Sequence, residues 1–305
     1  MHEGSRRAVI AAFAANMGIA AAKFVAFFFT GAASMLAESV HSVADTGNQA
    51  LLFLGGARSR RAPTEEHPFG FGRERYFWAF VVALVLFSLG SLFAIGEGIE
   101  KLRTPHRLES PVWALGVLAV SIVLETFSLI TAQNEANRIR RGESWLAFIR
   151  HTKNPELPVV LLEDLGALVG LAVASLGVGL AVFTGDPRFD AAGSIAIGVL
   201  LGVIAFVLAA EMKSLLIGEA ASPSDVAKIR AAMESAPHVA RVIHLRTLHL
   251  GPDDLLVASK VAFDPKLDFA SLAKAIDETE RRMRAATPSA RLIFLEPDVD
   301  RGPGQ

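Results

Sequence analysis

The chain has 305 residues, 52% of them hydrophobic, and a mean hydropathy of +0.41. That value is high for a water-soluble protein and points to bilayer-embedded helices, in a chain long enough for one large domain or two modest ones. Lys and Arg number 30 against 31 Asp and Glu, so no global basic field draws nucleic acid, and the lack of cysteine excludes disulfides and thiolate metal sites.

A membrane-crossing helix needs about 20 mostly apolar residues. Six stretches qualify: 8–29, 34–56, 76–99, 111–132, 157–183 and 189–210. Arg6 and Arg7 precede the first, as in a signal peptide. The run is too long for that, and more apolar segments follow, so it reads as a retained helix. A short turn near Gly31 joins the first two segments, and GDPRFD joins the last two. Gly166 with Gly170, and Gly198 with Gly202, put small residues at a spacing of four, which lets helices pack closely in lipid.

Arg58, Arg60, Arg61, Arg73 and Arg75 follow the second segment, and Arg138, Arg140, Arg141, Arg150 and Lys153 follow the fourth. The other side offers Lys101, Arg103, Arg107 and Arg188. This excess places both termini in the cytoplasm, or its organellar equivalent. The expected location of this integral membrane protein is a bacterial inner membrane.

After Gly218 the composition changes. SPSDVAKIRAAMESAP starts with a Ser cap followed by Pro and reads as a soluble helix. RVIHLRTLHL and LLVASKVAFD read as strands around the turn GPDD, 267–286 as a charged helix, and ARLIFLEPD as a third strand. The predicted fold is a six-helix transmembrane domain over 1–215, then a ferredoxin-like α+β domain of order α-β-β-α-β over 216–299. Residues 300–305 read as a tail.

Ionisable groups at bilayer depth cost at least ~2.5 kcal/mol each and default to a functional reading. In ESVHSVADTGNQ, Glu38, His41 and Asp45 fall at i, i+3 and i+7, on one helix face, and Asn48 and Gln49 extend the stripe. His41 and Asp45 can hold one ion between consecutive turns. The alternative is a hydrogen-bonded polar seam. In VVLLEDLGALVG, Glu163 and Asp164 are adjacent and about 100° apart around the helix, so one of them is expected to point squarely at a shared site. Glu125 of the fourth segment is a further buried acid, with an ion pair to Lys23 as its bland reading. A nitrogen-plus-oxygen set of this kind suits a divalent transition ion. Its ligands must be deprotonated to bind, so a site facing the two sides in turn exchanges metal for protons.

With these residues the sequence resembles the cation diffusion facilitator family. SMLAESVHSVADTGNQALL resembles its second-helix motif, HPFGFGRERY the segment opening its third helix, and LLEDLGALVG its fifth-helix metal motif. ESWLAFIRHTKNPELPVVLLED together with HSVADTGNQ resembles the branch with mitochondrial zinc exporters. The resemblance implies a homodimer in membrane lipid that exports zinc against protons, without enzymatic activity. The implied ligands are His41, Asp45 and Asp164.

Three departures stand out. Val160 occupies the usual ligand position one turn before Asp164, so Glu163 or a water completes the set, and manganese, iron or cobalt become candidates beside zinc. In the loop after the second segment His67 matches a family ligand, but Thr64 and Phe71 fill the partner positions, so His67 reads as structural. In the C-terminal domain His244 and His249 are five apart on one strand and face opposite sides, and Lys260 stands where a ligand is expected. A role in folding and dimerisation is therefore expected for that domain, with Glu296 and Asp298 as its remaining candidate ligands. The competing function is a membrane-embedded metal-dependent hydrolase, which lacks a paired motif such as HExxH.

Overall fold

Apolar runs broken by Gly, Pro and short polar turns set the helices of the first part of the chain. The computed structural model describes residues 17–18, 20–25, 27–29, 33–105, 111–140 and 142–299. Half of the first apolar segment, the turn at Gly31, Arg107, Arg141, the tail, and the side chains of Glu38 and His41 lie outside the described residues. Residues 17–18, 20–25 and 27–29 are helical.

The long helices are α1 (Ala33–Arg58), α2 (Glu74–Arg103), α3 (Pro111–Ile139), α5 (Glu156–Thr184) and α6 (Arg188–Ile217), with a short α4 (Trp145–His151) before α5. Within α2, residues Leu86–Leu92 form a π-helical stretch. Gly185, with φ of 71°, ends α5 in the left-handed conformation that glycine adopts without strain.

The expectation of six membrane helices is met in part. Among the described residues four helices are long and apolar enough to cross a membrane: Glu74–Arg103, Ala114–Arg138, Glu156–Thr184 and Arg188–Ile217. Helix α1 has 26 residues, length enough, but its polar stripe leaves it less apolar than those four. Several helices outrun their apolar stretches. Helix α3 continues through AQNEANRI, because good helix formers extend a helix without needing lipid.

The chain forms two compact units. The first is Met1–Gly56 with Phe77–Met212; the second is Ala57–Tyr76 with Lys213–Gln305. In the first, Phe127, Phe183 and Phe206 are largely exposed, as lipid-facing side chains are. Small residues line the helix contacts. A Cβ on Gly198 would meet the Ser91 carbonyl at 2.8 Å, and one on Gly98 would meet the Ala191 carbonyl at 2.8 Å, so α2 and α6 pack backbone to backbone. A buried ion pair ties the same two helices, Lys101 Nζ to Asp190 Oδ2 at 3.3 Å. Phe148 of α4 is buried with Leu129, Ala132, Ala136 and Leu161 of α3 and α5.

The second unit contains α7 (Pro223–Glu234), β1 (Val239–Gly251), β2 (Asp254–Phe263), α8 (Phe269–Ala286) and β3 (Ala290–Asp298). The expected α-β-β-α-β order is present. The sheet has three strands in the order β1-β2-β3; β1 and β2 pair antiparallel, and β2 and β3 pair parallel through the α8 crossover. Ile229 and Met233 of α7 and Ala275 and Met283 of α8 pack with Val257, Val261 and Ile293 of the sheet. Ser222 caps α7, accepting from Asp225 N–H at 3.1 Å and donating to Asp225 Oδ2 at 2.9 Å. Residues 57–76, which read as a loop between membrane helices, belong to this unit. Gly72 explains the fit: a Cβ there would sit 2.5 Å from the Leu250 carbonyl oxygen, so only glycine lets the two backbones meet.

Candidate metal centre

Helices α1, α3 and α5 each bring acids or amides to one small cavity. The i, i+3, i+7 spacing of α1 puts Ser42, Asp45 and Gln49 on one face, and all three line it. Glu125 comes from α3, and Val160, Glu163 and Asp164 come from α5. The space is about 20 Å³, room for one water-sized occupant.

The two adjacent acids of α5 both line this cavity, and both are buried. Their hydrogen bonds run to different helices. Asn48 Nδ2 of α1 donates to Glu163 Oε1 at 2.6 Å, and Ser128 Oγ of α3 donates to Asp164 Oδ2 at 2.9 Å. The angle between adjacent residues thus sends one carboxylate toward α1 and the other toward α3. Asn48 is fully buried, and its Oδ1 atom has no hydrogen-bond partner among the described residues. Lys23 is also buried and donates to Ser42 Oγ at 2.8 Å, one turn from Asp45.

Among the described residues no group of three His, Asp or Glu is placed to hold a metal ion. Asp45, Glu163 and Asp164 share the cavity, with Glu163 and Asp164 turned onto hydrogen-bond donors. His41 is one turn before Asp45 on α1, with its side chain outside the described residues. Val160 lines the cavity beside the acids, so the position that lacks a ligand is part of the same wall. Ser128 was not singled out in the sequence. Its signal is the i, i+3 spacing from Glu125, which puts the two on one face of α3.

The other candidate ligands lie in the second unit. His67 N–H donates to Thr64 Oγ1 at 3.1 Å, and the His67 ring stacks on Phe71 at 4.7 Å between centroids. The three positions therefore close a turn. On β1, His244 is exposed while His249 is buried. Lys260, across from His244, lies 3.1 Å from Glu296 and 3.0 Å from Asp298. Hydrogen bonds to Asp298 and Glu296 hold its ammonium above the usual lysine range.

Residues 9–217 match the family model of the cation efflux transmembrane domain. The protein belongs to this family and is an integral membrane protein. The mitochondrial proton-coupled zinc antiporter SLC30A9 of Homo sapiens is 33% identical over 269 residues, 85% of this chain and 47% of that protein. Metal tolerance protein C4 of Arabidopsis thaliana is 31% identical, covering 86% of this chain and 58% of its own length. Zinc transporter ZitB of Escherichia coli is 26% identical, covering 82% and 75%. The chain spans about half the length of the mitochondrial antiporters that it matches.

Proposed function

We propose that this protein exports a divalent metal ion, zinc first among the candidates, in exchange for protons. The observation that carries the reading is the convergence of Asp45, Glu163 and Asp164 on one small cavity between helices of a membrane protein. His41 joins them as the nitrogen ligand. Each ligand must be deprotonated to bind the ion, so metal entry releases protons and proton entry releases metal. Asn48 and Ser128 donate to the α5 carboxylates, so a bound ion competes with these donors for the same oxygens. The names of the relatives, zinc antiporter and zinc transporter, support zinc and proton exchange.

The wider architecture follows the same reading. The membrane domain has six helices over 1–215, and the ferredoxin-like unit over 216–299 dimerises two copies and regulates them. The protein sits in a bacterial inner membrane with both termini cytoplasmic. A second reading keeps transport and changes the metal. Val160 removes one donor and leaves an oxygen-rich set, which favours manganese, iron or cobalt. Hydrolysis is a poor fit, since a cavity of about 20 Å³ has no room for an ester or peptide.

The test is purified protein in sealed vesicles with the membrane potential clamped. Zinc efflux driven by an imposed pH gradient, with protons moving the other way, is the expected result. Flux that ignores the gradient rejects antiport, and manganese flux far above zinc flux moves the reading to the second metal class.

A further inference from the structure

The second unit carries a basic hollow that the metal reading does not use. Residues 59–75 fold over the turn between β1 and β2 and enclose about 540 Å³. Its lining includes four guanidinium groups, from Arg60, Arg61, Arg75 and Arg291. Two carboxylates answer them: Asp253 lies 3.5 Å from Arg75, and Asp254 lies 2.9 Å from Arg291. Arg60 and Arg61 have no ion pair or side-chain hydrogen bond among the described residues. Glu65 and Glu66 are on the same loop but are not part of the lining. The lining therefore keeps an excess of two positive charges with no protein partner.

The loop that carries these groups is built to hold its shape. Gly70 takes a φ of +81°, and Gly72 lies against the backbone of Leu250 and Gly251. Arg75 lies in the first turn of α2, one of the helices that can cross a membrane. Arg60 and Arg61 follow the last residue of α1 by two and three positions. The chain itself thus keeps the arginines within reach of the headgroup layer, where anionic lipids are concentrated. Phe69, half exposed, is part of the same lining and offers an apolar surface for a glycerol or upper acyl segment.

We propose that this hollow binds the phosphate of an anionic phospholipid headgroup from the membrane in which the protein sits. Guanidinium forks match phosphate oxygens with paired, charge-assisted hydrogen bonds. A soluble phosphate-bearing anion offers the same chemistry. The lipid is favoured because the membrane presents it at high local concentration beside these arginines, and because Phe69 has no use for a small anion.

The test uses the full chain in detergent micelles. Thermal unfolding is followed while dioctanoyl phosphatidylglycerol, dioctanoyl phosphatidylcholine or inorganic phosphate is titrated. Phosphatidylglycerol is expected to raise the midpoint saturably, and the other two to leave it unchanged. Replacing both Arg60 and Arg61 by Ala is expected to weaken the apparent affinity about 25-fold, about fivefold for each charge near the surface. Equal stabilisation by phosphatidylcholine overturns the proposal, as does an unchanged affinity in the folded double variant. Inorganic phosphate matching phosphatidylglycerol overturns the lipid assignment and makes the ligand a soluble anion. These lipid and phosphate comparisons decide the matter on the unmodified protein, even where the double variant fails to fold.

Discussion

The two units treat charge in opposite ways. In the helical unit, buried ionisable groups are few, and they meet partners on other helices: Lys23 donates to Ser42, Glu163 accepts from Asn48, Asp164 accepts from Ser128, and Lys101 pairs with Asp190. In the second unit charges are many and shared. Glu278 accepts from both Arg281 and Arg282, and Lys260 bridges Glu296 and Asp298. The contrast follows from the surroundings. A charge out of water is costly unless each of its bonds is kept, whereas an exposed pair gains little and loses little. Single charge changes should therefore be severe in the first unit and mild in the second.

The largest effect should come from the cavity acids. Asp45→Asn and Asp164→Asn are expected to cut zinc flux in vesicles by more than the ~10–100-fold that loss of a ligand-orienting partner costs, and Ser128→Ala should fall within that range. Glu163→Gln should do less, shifting metal preference or weakening affinity. Calorimetric titration with zinc and manganese measures this directly. Full binding in Asp164→Asn with none in Glu163→Gln would exchange the roles of the two acids.

Next comes the Lys101–Asp190 pair. Lys101→Met leaves Asp190 buried without its cation and should destabilise the protein by about 3–5 kcal/mol. Replacing both by Leu should recover most of that loss. A double-mutant cycle from unfolding in detergent checks it; a Lys101→Met protein as stable as the parent would contradict the contrast between the units. Smaller again is Ser222→Ala, which removes the α7 cap at a cost of about 1 kcal/mol.

The smallest effect is a pH dependence in the second unit. Lys260 has a folded pKa above its unfolded one, so its contribution is complete below the unfolded value of ~10.4 and is lost as pH rises through the folded value. Unfolding followed from pH ~8 to ~11.5 should show this decline, and Lys260→Met should flatten it.

The elements were legible where one physical period ruled. Long apolar runs gave the helices of the first unit, and alternation with turn residues gave β1, β2 and β3 nearly residue by residue. Boundaries were not legible where helix propensity outlasts apolarity, as in AQNEANRI of α3. The short helix α4 has only seven residues, too few for a period to emerge. The home of residues 57–76 rests on a backbone contact between Gly72 and Leu250, which leaves no trace in composition. At the site, the stripe on α1 and the acids of α5 could be read from helical spacing. That Asn48 would donate to Glu163, and Ser128 to Asp164, depends on how three helices face one another, which spacing along one helix cannot tell.

The π-helical stretch at Leu86–Leu92 bears on which changes in length the chain can absorb. Such a turn holds one residue more than the α-helical pitch requires. Deleting one residue there should relax it to an ordinary α-helix, with both halves of α2 keeping the surfaces they present. A deletion elsewhere in α2 turns everything beyond it by about 100°. Gly98 would then swing away from Ala191 and Ile195, and a bulkier side chain would take its place against α6. Among functional relatives, single-residue gaps in this helix should therefore fall within 86–92 and nowhere else along it.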